Sequence, residues 1–359
     1  MLQASQQQSF ARILTTVAEL KATDLHMTIG TPPIVRVDGK LKVLETEDIV
    51  TPEVVQALVD GLLTEGQKQQ LEDHKDITVS QSFMERIRFR MNAFYQKGFL
   101  SLSMRFIPDR IPPIDSLGLP KPVENFTTLE RGLVLITGPF GSGKTTTAAS
   151  LVQKINTERA EHIVTAEDPV EYMFNNEKSV IEQREVGRDA ESLLSILDLA
   201  DREDVDVIVV SGLKSEKVIW KTIELATTNR LVIATIAADS IPHALQTIVS
   251  AYPEDQRSNA RNLLSEALQG IVCQQLVNRI GGGLVLVPEV LIPDTAARSV
   301  IREGSFSQLN NITQTSREHG MISRDSVLAQ YVQQGIISIQ DAQIYAHDPD
   351  QLVTMIRRY

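Results

Sequence analysis

Thiol and indole chemistry are nearly absent from this chain: its 359 residues include one cysteine, Cys273, and one tryptophan. A single thiol excludes an intrachain disulfide and any multi-cysteine zinc site. It falls in the apolar pattern LLSEALQGIVCQQLV, which reads as a small buried core position with no chemistry of its own. Positive charge is also scarce. Lys and Arg number 35 against 46 Asp and Glu, a formal charge of −11, so broad nucleic-acid or anionic-lipid binding is disfavoured. No apolar run approaches the roughly 20 residues that cross a bilayer. The start, MLQASQQQSFARIL, lacks the basic-then-apolar build of a signal peptide. The expectation is a cytoplasmic protein with no integral membrane segment and no nucleic-acid partner.

What is present suggests two domains, at about 150 residues each. In residues 1–107, Phe10, Ile13, Leu14, Val17 and Leu20 recur at helical spacing, and PPIVRVDGKLKVLE reads as two strands around the turn Asp38-Gly39. Thr51-Pro52-Glu53 opens a second helix, since proline and acids suit a first turn. RIRFRMNAFYQ and LSLSMRFIP read as strands in which arginines alternate with apolar residues, completing a small α+β domain. Residues 108–122, PDRIPPIDSLGLPKP, hold five of the 15 prolines and predict an extended linker. In 123–359 the runs GLVLITG, HIVTAEDP, VDVIVVSG and RLVIATIAA alternate with helical patterns, as in a mostly parallel sheet covered on both faces. Beyond Tyr252 the pattern is mainly helical, including PEDQRSNARNLLSEALQGIVCQQLV, with GGGLVLVPEVLI as one further strand or hairpin.

The sharpest local signal is GPFGSGKTT. Gly138 and Gly143-Lys144-Thr145 satisfy G-x-x-x-x-G-K-[ST] directly after a predicted strand and before a predicted helix. Such a loop turns successive N–H groups toward phosphates, and the following helix adds its positive end. The nucleotide-binding candidates are therefore Gly138, Pro139, Phe140, Gly141, Ser142, Gly143, Lys144, Thr145 and Thr146. Lys144 is placed against the β- and γ-phosphates of ATP and the Thr145 hydroxyl on Mg²⁺. Glu167 and Asp168 end a predicted parallel strand, where open α/β sheets bind ligands. They are candidate Mg²⁺ ligands, with Glu167 a weak candidate for the catalytic carboxylate.

Beyond that loop, the chain resembles, almost end to end, the secretion ATPases of type II secretion and type IV pili, most closely the PilT-like retraction ATPases. ATDLHMTIGTPPIVRVDG and RIRFRMNAFYQ resemble that family's PAS-like N-terminal domain, HIVTAEDPVEY its acidic box, and IEQREVGRD the segment after it. AARSVIREG resembles the signature of the retraction branch, retaining Ala296, Arg298, Ile301, Arg302 and Glu303. The resemblance implies a P-loop (RecA-like) α/β domain with C-terminal helices behind the PAS-like domain. It also implies a ring, either homohexameric or mixed with a paralogous pilus ATPase, set against an inner-membrane pilus platform protein. In such a ring, arginines of the N-terminal domain reach nucleotide phosphates, which gives Arg88, Arg90 and Arg105 a possible role; alternating along a strand, they equally describe its solvated face. His26 is open between a catalytic and a structural role.

The likeness breaks at three places. Where the family ends its Walker B strand in Gly-Glu-Met-Arg-Asp, this chain has Ser211 and Gly212 opening SGLKS, so the glutamate that positions water is missing. In the His box, Asn229-Arg230 and Ala237 occupy the places of the histidines, and in LDLADRED Asp198 replaces the family's first arginine while Arg202 keeps the second. Arg202 is thus the last nucleotide-site candidate. The pattern implies intact ATP binding with slow or absent hydrolysis, in a regulator or partner of active pilus motors. The alternatives are a working retraction motor and a nucleotide-gated scaffold of a related secretion machine.

Overall fold

The computed structural model describes residues 4–83, 87–107, 110–316 and 320–357. Two compact units emerge: Met1–Arg110 with Glu171–Met173, and Ile111–Val170 with Phe174–Tyr359. The start of the expected strand at Arg86 and the first linker residues, 108 and 109, lie outside the described residues.

In the first unit the strands β1 (Asp24–Met27), β2 (Ile34–Val37), β3 (Lys40–Val43), β4 (Asp76–Phe83), β5 (Ile87–Gln96) and β6 (Phe99–Ile107) form one antiparallel sheet in the order β3-β2-β1-β6-β5-β4. Helices α1 (Ala4–Glu19), α2 (Pro52–Leu62) and α3 (Glu65–His74) accompany it. Period-two alternation decides which side is core: Phe89, Met91 and Ala93 of β5 are fully buried with Phe10, Leu14, Val55 and Met104. The intervening Arg88 and Arg90 therefore share the opposite face. Across that face one register row reads Ser80, Arg90, Arg105, Asp24, Arg36.

The second unit carries β7 (Gly132–Gly138), β8 (His162–Glu167), β9 (Val180–Glu185), β10 (Val207–Val210), β11 (Leu231–Ala237), β12 (Leu268–Asn278) and β13 (Leu284–Leu291), ordered β13-β12-β7-β11-β10-β8-β9. All pair in parallel except the edge hairpin β12–β13. After the short α4 (Lys121–Glu124), α5 (Lys144–Glu158) packs Leu151, Val152 and Ile155 on one face against Val134, Ile136 and Ile233. The other face, with Leu133, Leu135, Ile208 and Val232, is covered by α6 (Leu193–Ala200), α7 (Glu216–Ala226), α8 (Ile241–Ser250), α9 (Arg257–Ala267) and α10 (Thr295–Glu303). Helices α11 (Leu309–Thr315), α12 (Arg324–Gln333), α13 (Ile339–Tyr345) and α14 (Pro349–Arg357) complete the chain.

Two expectations need correcting. Residues 111–122 are not an extended linker: they belong to the second unit, Ile114–Leu117 is a 3₁₀ turn, and Ile114 is buried against the α5 face of the sheet. The prolines flank that turn, where fixed φ is an advantage. The long helix expected through Val277 stops at Ala267, and β12 takes over. Its β-branched Ile271, Val272 and Val277 are fully buried, in a strand hydrogen-bonded on both edges to β7 and β13, a setting that overrides helical periodicity.

Asp24, only 6% exposed, accepts a 2.7 Å bond from Thr23 Oγ1 and a 2.9 Å bond from Arg105 Nε. Arg105 therefore has a structural task in the first unit. Arg105→Ala should lower stability by about 2 kcal/mol, less than the roughly 3–5 kcal/mol of a sealed ion pair because the arginine is partly exposed. Chemical denaturation should also show Asp24→Asn recovering much of that loss in the double variant.

Candidate functional site

β7 ends in the phosphate-loop motif, and α5 begins at Lys144 with Gly143 as its N-cap. The loop folds tightly back on itself. Ser142 N–H donates to the Pro139 carbonyl at 3.3 Å, and Gly138 has φ +149°. A side chain at 138 would meet the Gln274 carbonyl and Ser142 Oγ at 2.4 Å each, so the fold of the loop requires glycine there. Lys144 Nζ donates to the carbonyls of Gly138 and Pro139 at 2.8 and 2.7 Å. Ser142 is 2% exposed, and its Oγ has no hydrogen-bond partner among the described residues. Thr145 and Thr146 are half-buried in the first turn of α5, while Phe140 projects into solvent at 80% exposure. A helix N-terminus, an orphaned buried hydroxyl and an ammonium parked on its own loop suit a polyphosphate.

The same edge of the sheet gathers the C-terminal ends of β11, β10 and β8. Ala237 pairs directly with Gly138. Glu167, at the end of β8, is 7% exposed, and its Oε1 accepts bonds from Thr165 Oγ1 at 2.7 Å and Gln183 Nε2 at 3.1 Å. Asp168 is half-exposed, and its Oδ2 receives Lys214 Nζ at 3.0 Å. With strands about 4.8 Å apart, β10 lies about 10 Å and β8 about 14 Å from β7. Glu167 and Asp168 thus share an edge with the phosphate loop without flanking it. Gly212 sits at φ +94°, beside the Lys214 side chain, and Glu216 is exposed at the first position of α7.

The remaining candidates belong to other elements. Arg202 and Asp198 sit at the end of α6, before β10, at the N-terminal edge of the sheet and thus opposite the phosphate loop. Arg202 Nε donates to the Asp198 carbonyl at 3.1 Å. Arg202 is therefore not brought to the phosphate loop of its own chain; the strand length of β10 separates them. Arg230 shares that far edge, bonded to Asp201. Arg88, Arg90 and Arg105 belong to the sheet of the first unit. His26 Nδ1 lies 3.2 Å from Ser103 Oγ, and burial holds the imidazole below its ordinary value, which fits a neutral structural histidine.

The signature helix α10 is also structural within this chain: Arg298 Nη1 donates to the carbonyls of Ser265 and Glu266 at the end of α9. Sequence reasoning missed Gln274, 1% exposed, whose Nε2 donates to Thr147 Oγ1 at 2.7 Å behind the loop. It also missed Lys214 and Gln183. A glutamine inside the apolar run of β12 was the available signal for the first.

Residues 7–283 match the family described as Type II/IV secretion system protein. The chain is 33% identical over 338 residues to the type IV pilus retractation ATPase PilT of Pseudomonas aeruginosa, covering 94% of this chain and 98% of that one. It is 32% identical over 349 residues to the type IV pilus ATPase PilU of the same organism, covering 97% and 91%. The crystal structure of the pilus retraction motor PilT with bound ADP superposes with a TM-score of 0.85 at 38% identity, covering 95% of this chain and 98% of that one. With the phosphate loop, the parallel sheet and these likenesses in agreement, the chain belongs to the type II/IV secretion system protein family, as a PilT-like member.

Proposed function

We propose that this chain binds ATP and Mg²⁺ at Gly138–Thr146, hydrolyses it slowly or not at all, and serves type IV pilus machinery as a partner or regulator of active motors. The carrying observation is the end of β10. At that place a hydrolytic member of the family carries its glutamate, whereas here the backbone turns through Gly212 at φ +94° and the neighbouring Lys214 reaches Asp168. Ala237, paired with Gly138, likewise offers no proton-handling group. Loss of one positioned acid or base typically lowers a rate on the order of 10²–10⁴-fold. Binding is spared, because the loop glycines, Lys144 and Thr145 remain. The relative crystallised with ADP supports the nucleotide. Thr145 would hold the metal, with Glu167 and Asp168 as further candidates acting through water; Mg²⁺ would supply charge neutralisation of the β- and γ-phosphates.

Residues 1–107 act as a PAS-like domain and 123–359 as the P-loop ATPase domain. Arg88, Arg90 and Arg105 contribute to nucleotide sites in a homohexameric or mixed ring, at the cytoplasmic side of an inner-membrane pilus platform protein. Arg202, at the far edge of the sheet, has a role there only toward another subunit. A second reading, a working retraction motor, rests on Glu167, whose hydrogen bonds from Thr165 and Gln183 fix a carboxylate at the correct edge.

Titration with a fluorescent ATP analogue should show saturable, Mg²⁺-dependent binding that Lys144→Ala abolishes. On the same sample, phosphate release should run at least about 100-fold below that of an active pilus ATPase. Motor-like turnover lost in both Lys144→Ala and Glu167→Gln would establish the second reading instead.

Restoring the missing glutamate is predicted to fail by itself. Gly212→Glu places a side chain in a left-handed conformation, against Lys214 Cε at 3.3 Å, at a cost of roughly 1–3 kcal/mol. Denaturation of that variant should show the loss, and turnover should not rise unless the β10–α7 turn is rebuilt with it.

A further inference from the structure

One line of polar contacts runs from the phosphate loop to the C-terminal helices. Glu289, fully buried on β13, stands opposite Cys273 on β12, which stands opposite Thr137, the residue before Gly138. Thr137 Oγ1 donates to the Ala238 carbonyl at 3.0 Å. Arg324, the first residue of α12, sends Nη2 to the carbonyl of the next residue, Asp239, and to Cys273 Sγ at 3.1 Å. The same nitrogen lies 3.5 Å from Glu289 Oε2. His347, between α13 and α14, places Nε2 at 3.1 and 3.2 Å from the two Glu289 oxygens. Asp325, also fully buried, accepts the backbone N–H groups of His347 and Asp348 at 2.8 and 3.1 Å.

We propose that His347, Glu289 and Arg324 form a pH-sensitive latch that ties the C-terminal helices to the strand end beside the phosphate loop, so that the charge on His347 sets how firmly that edge is held. Its effect on nucleotide affinity rests on the ATP-binding reading above; the latch itself does not. The charge count carries the argument. Glu289 and Asp325 bring two negative charges and Arg324 one positive charge, so the cluster is balanced only while His347 is protonated. Cys273 adds none, since burial pushes its thiol up to about 12. Of the nearby carboxylates, Asp239 and Asp348 are exposed, so water screens them, and Asp239 also faces His243 at 2.9 Å. A buried, unbalanced carboxylate is costly, which is the driving force of the latch.

The hydrogen bond to Glu289 raises His347 above its ordinary value of 6.5, against the opposing effect of burial. A group raised in the folded state contributes fully below its unfolded value and loses that contribution as pH climbs through the folded one. The latch is therefore closed in mild acid and loosens above neutrality. Glu289, no longer shared with an imidazolium, then draws Arg324 from the Asp239 carbonyl.

Amide hydrogen exchange on the full chain without nucleotide tests this, with rates corrected for intrinsic exchange. Between about pH 6 and about pH 8.5, protection of α13–α14 and of residues 238–241 should fall together by about threefold or more. His347→Lys should hold both segments at the acid level across the range, and His347→Gln at the alkaline level. Unchanged wild-type protection, or two variants that behave alike, would overturn the latch; a fall confined to α13–α14 would overturn its link to the nucleotide edge. Titration with a fluorescent ADP analogue should show affinity falling with pH more steeply in the wild type than in either variant. A chain that binds no nucleotide at any pH would refute the ATP-binding reading, while the exchange data would still decide the latch.

Discussion

The absence of a side chain at residue 138 is the constraint on which the phosphate-loop edge depends. At that point β7 ends between β11 and β12, the Gln274 carbonyl and Ser142 Oγ close in from either side, and a Cβ would strike both at 2.4 Å. Only with glycine there can the loop turn back far enough for Ser142 to be buried and for Lys144 to reach the carbonyls of Gly138 and Pro139. Substitution would force either the loop outward or β12 away, and β12 carries Cys273 and Gln274 with it. The phosphate loop and the edge hairpin are in this sense one packing unit.

Much of this was legible beforehand, because the signals were local. Continuous apolar runs marked the central parallel strands, and G-x-x-x-x-G-K-T marked the loop between strand and helix. The alternation in β5 marked which of its residues face the core of the first unit. What failed was non-local. Helical spacing through Cys273 gave way because β7 and β13 offer β12 two hydrogen-bonded edges, which no window of sequence displays. The proline segment reads as a spacer by composition, yet Ile114 has a buried place to fill.

The site residues divide along the same line. The strand–loop–helix setting of Gly138–Thr146 needed only motif and context. Arg202 looked like a nucleotide residue by analogy with a pattern, but its place on the sheet depends on the direction in which α6 returns, and that direction takes it to the far edge. Lys214, Gln183 and Gln274 contribute through partners distant in sequence, at or just past the end of β8 or behind the loop. No spacing rule connects such pairs.

The departures from the family pattern are then of two physical kinds. At the far edge the new charges are satisfied inside the chain. Lys221 bonds Asp201 at 2.8 Å and lies 3.9 Å from Asp198, while Arg230 reaches Asp201 at 3.3 Å. Lys221 chiefly holds the Asp201 carboxyl below its ordinary value. That contribution is present above the unfolded value and fades only as pH falls through the depressed one, so the network is indifferent to pH near neutrality. A change of charge that arrives with its counter-charge preserves the fold and removes nothing from the phosphate loop on the opposite edge. At the near edge, by contrast, Gly212 and Ala237 bring no functional group, and the carboxylates at that edge are Glu167, held by Thr165 and Gln183, and Asp168, held by Lys214. Compensated changes at one edge leave the fold and the phosphate loop intact, and the bare deletions at the other are the changes that the proposed loss of hydrolysis requires.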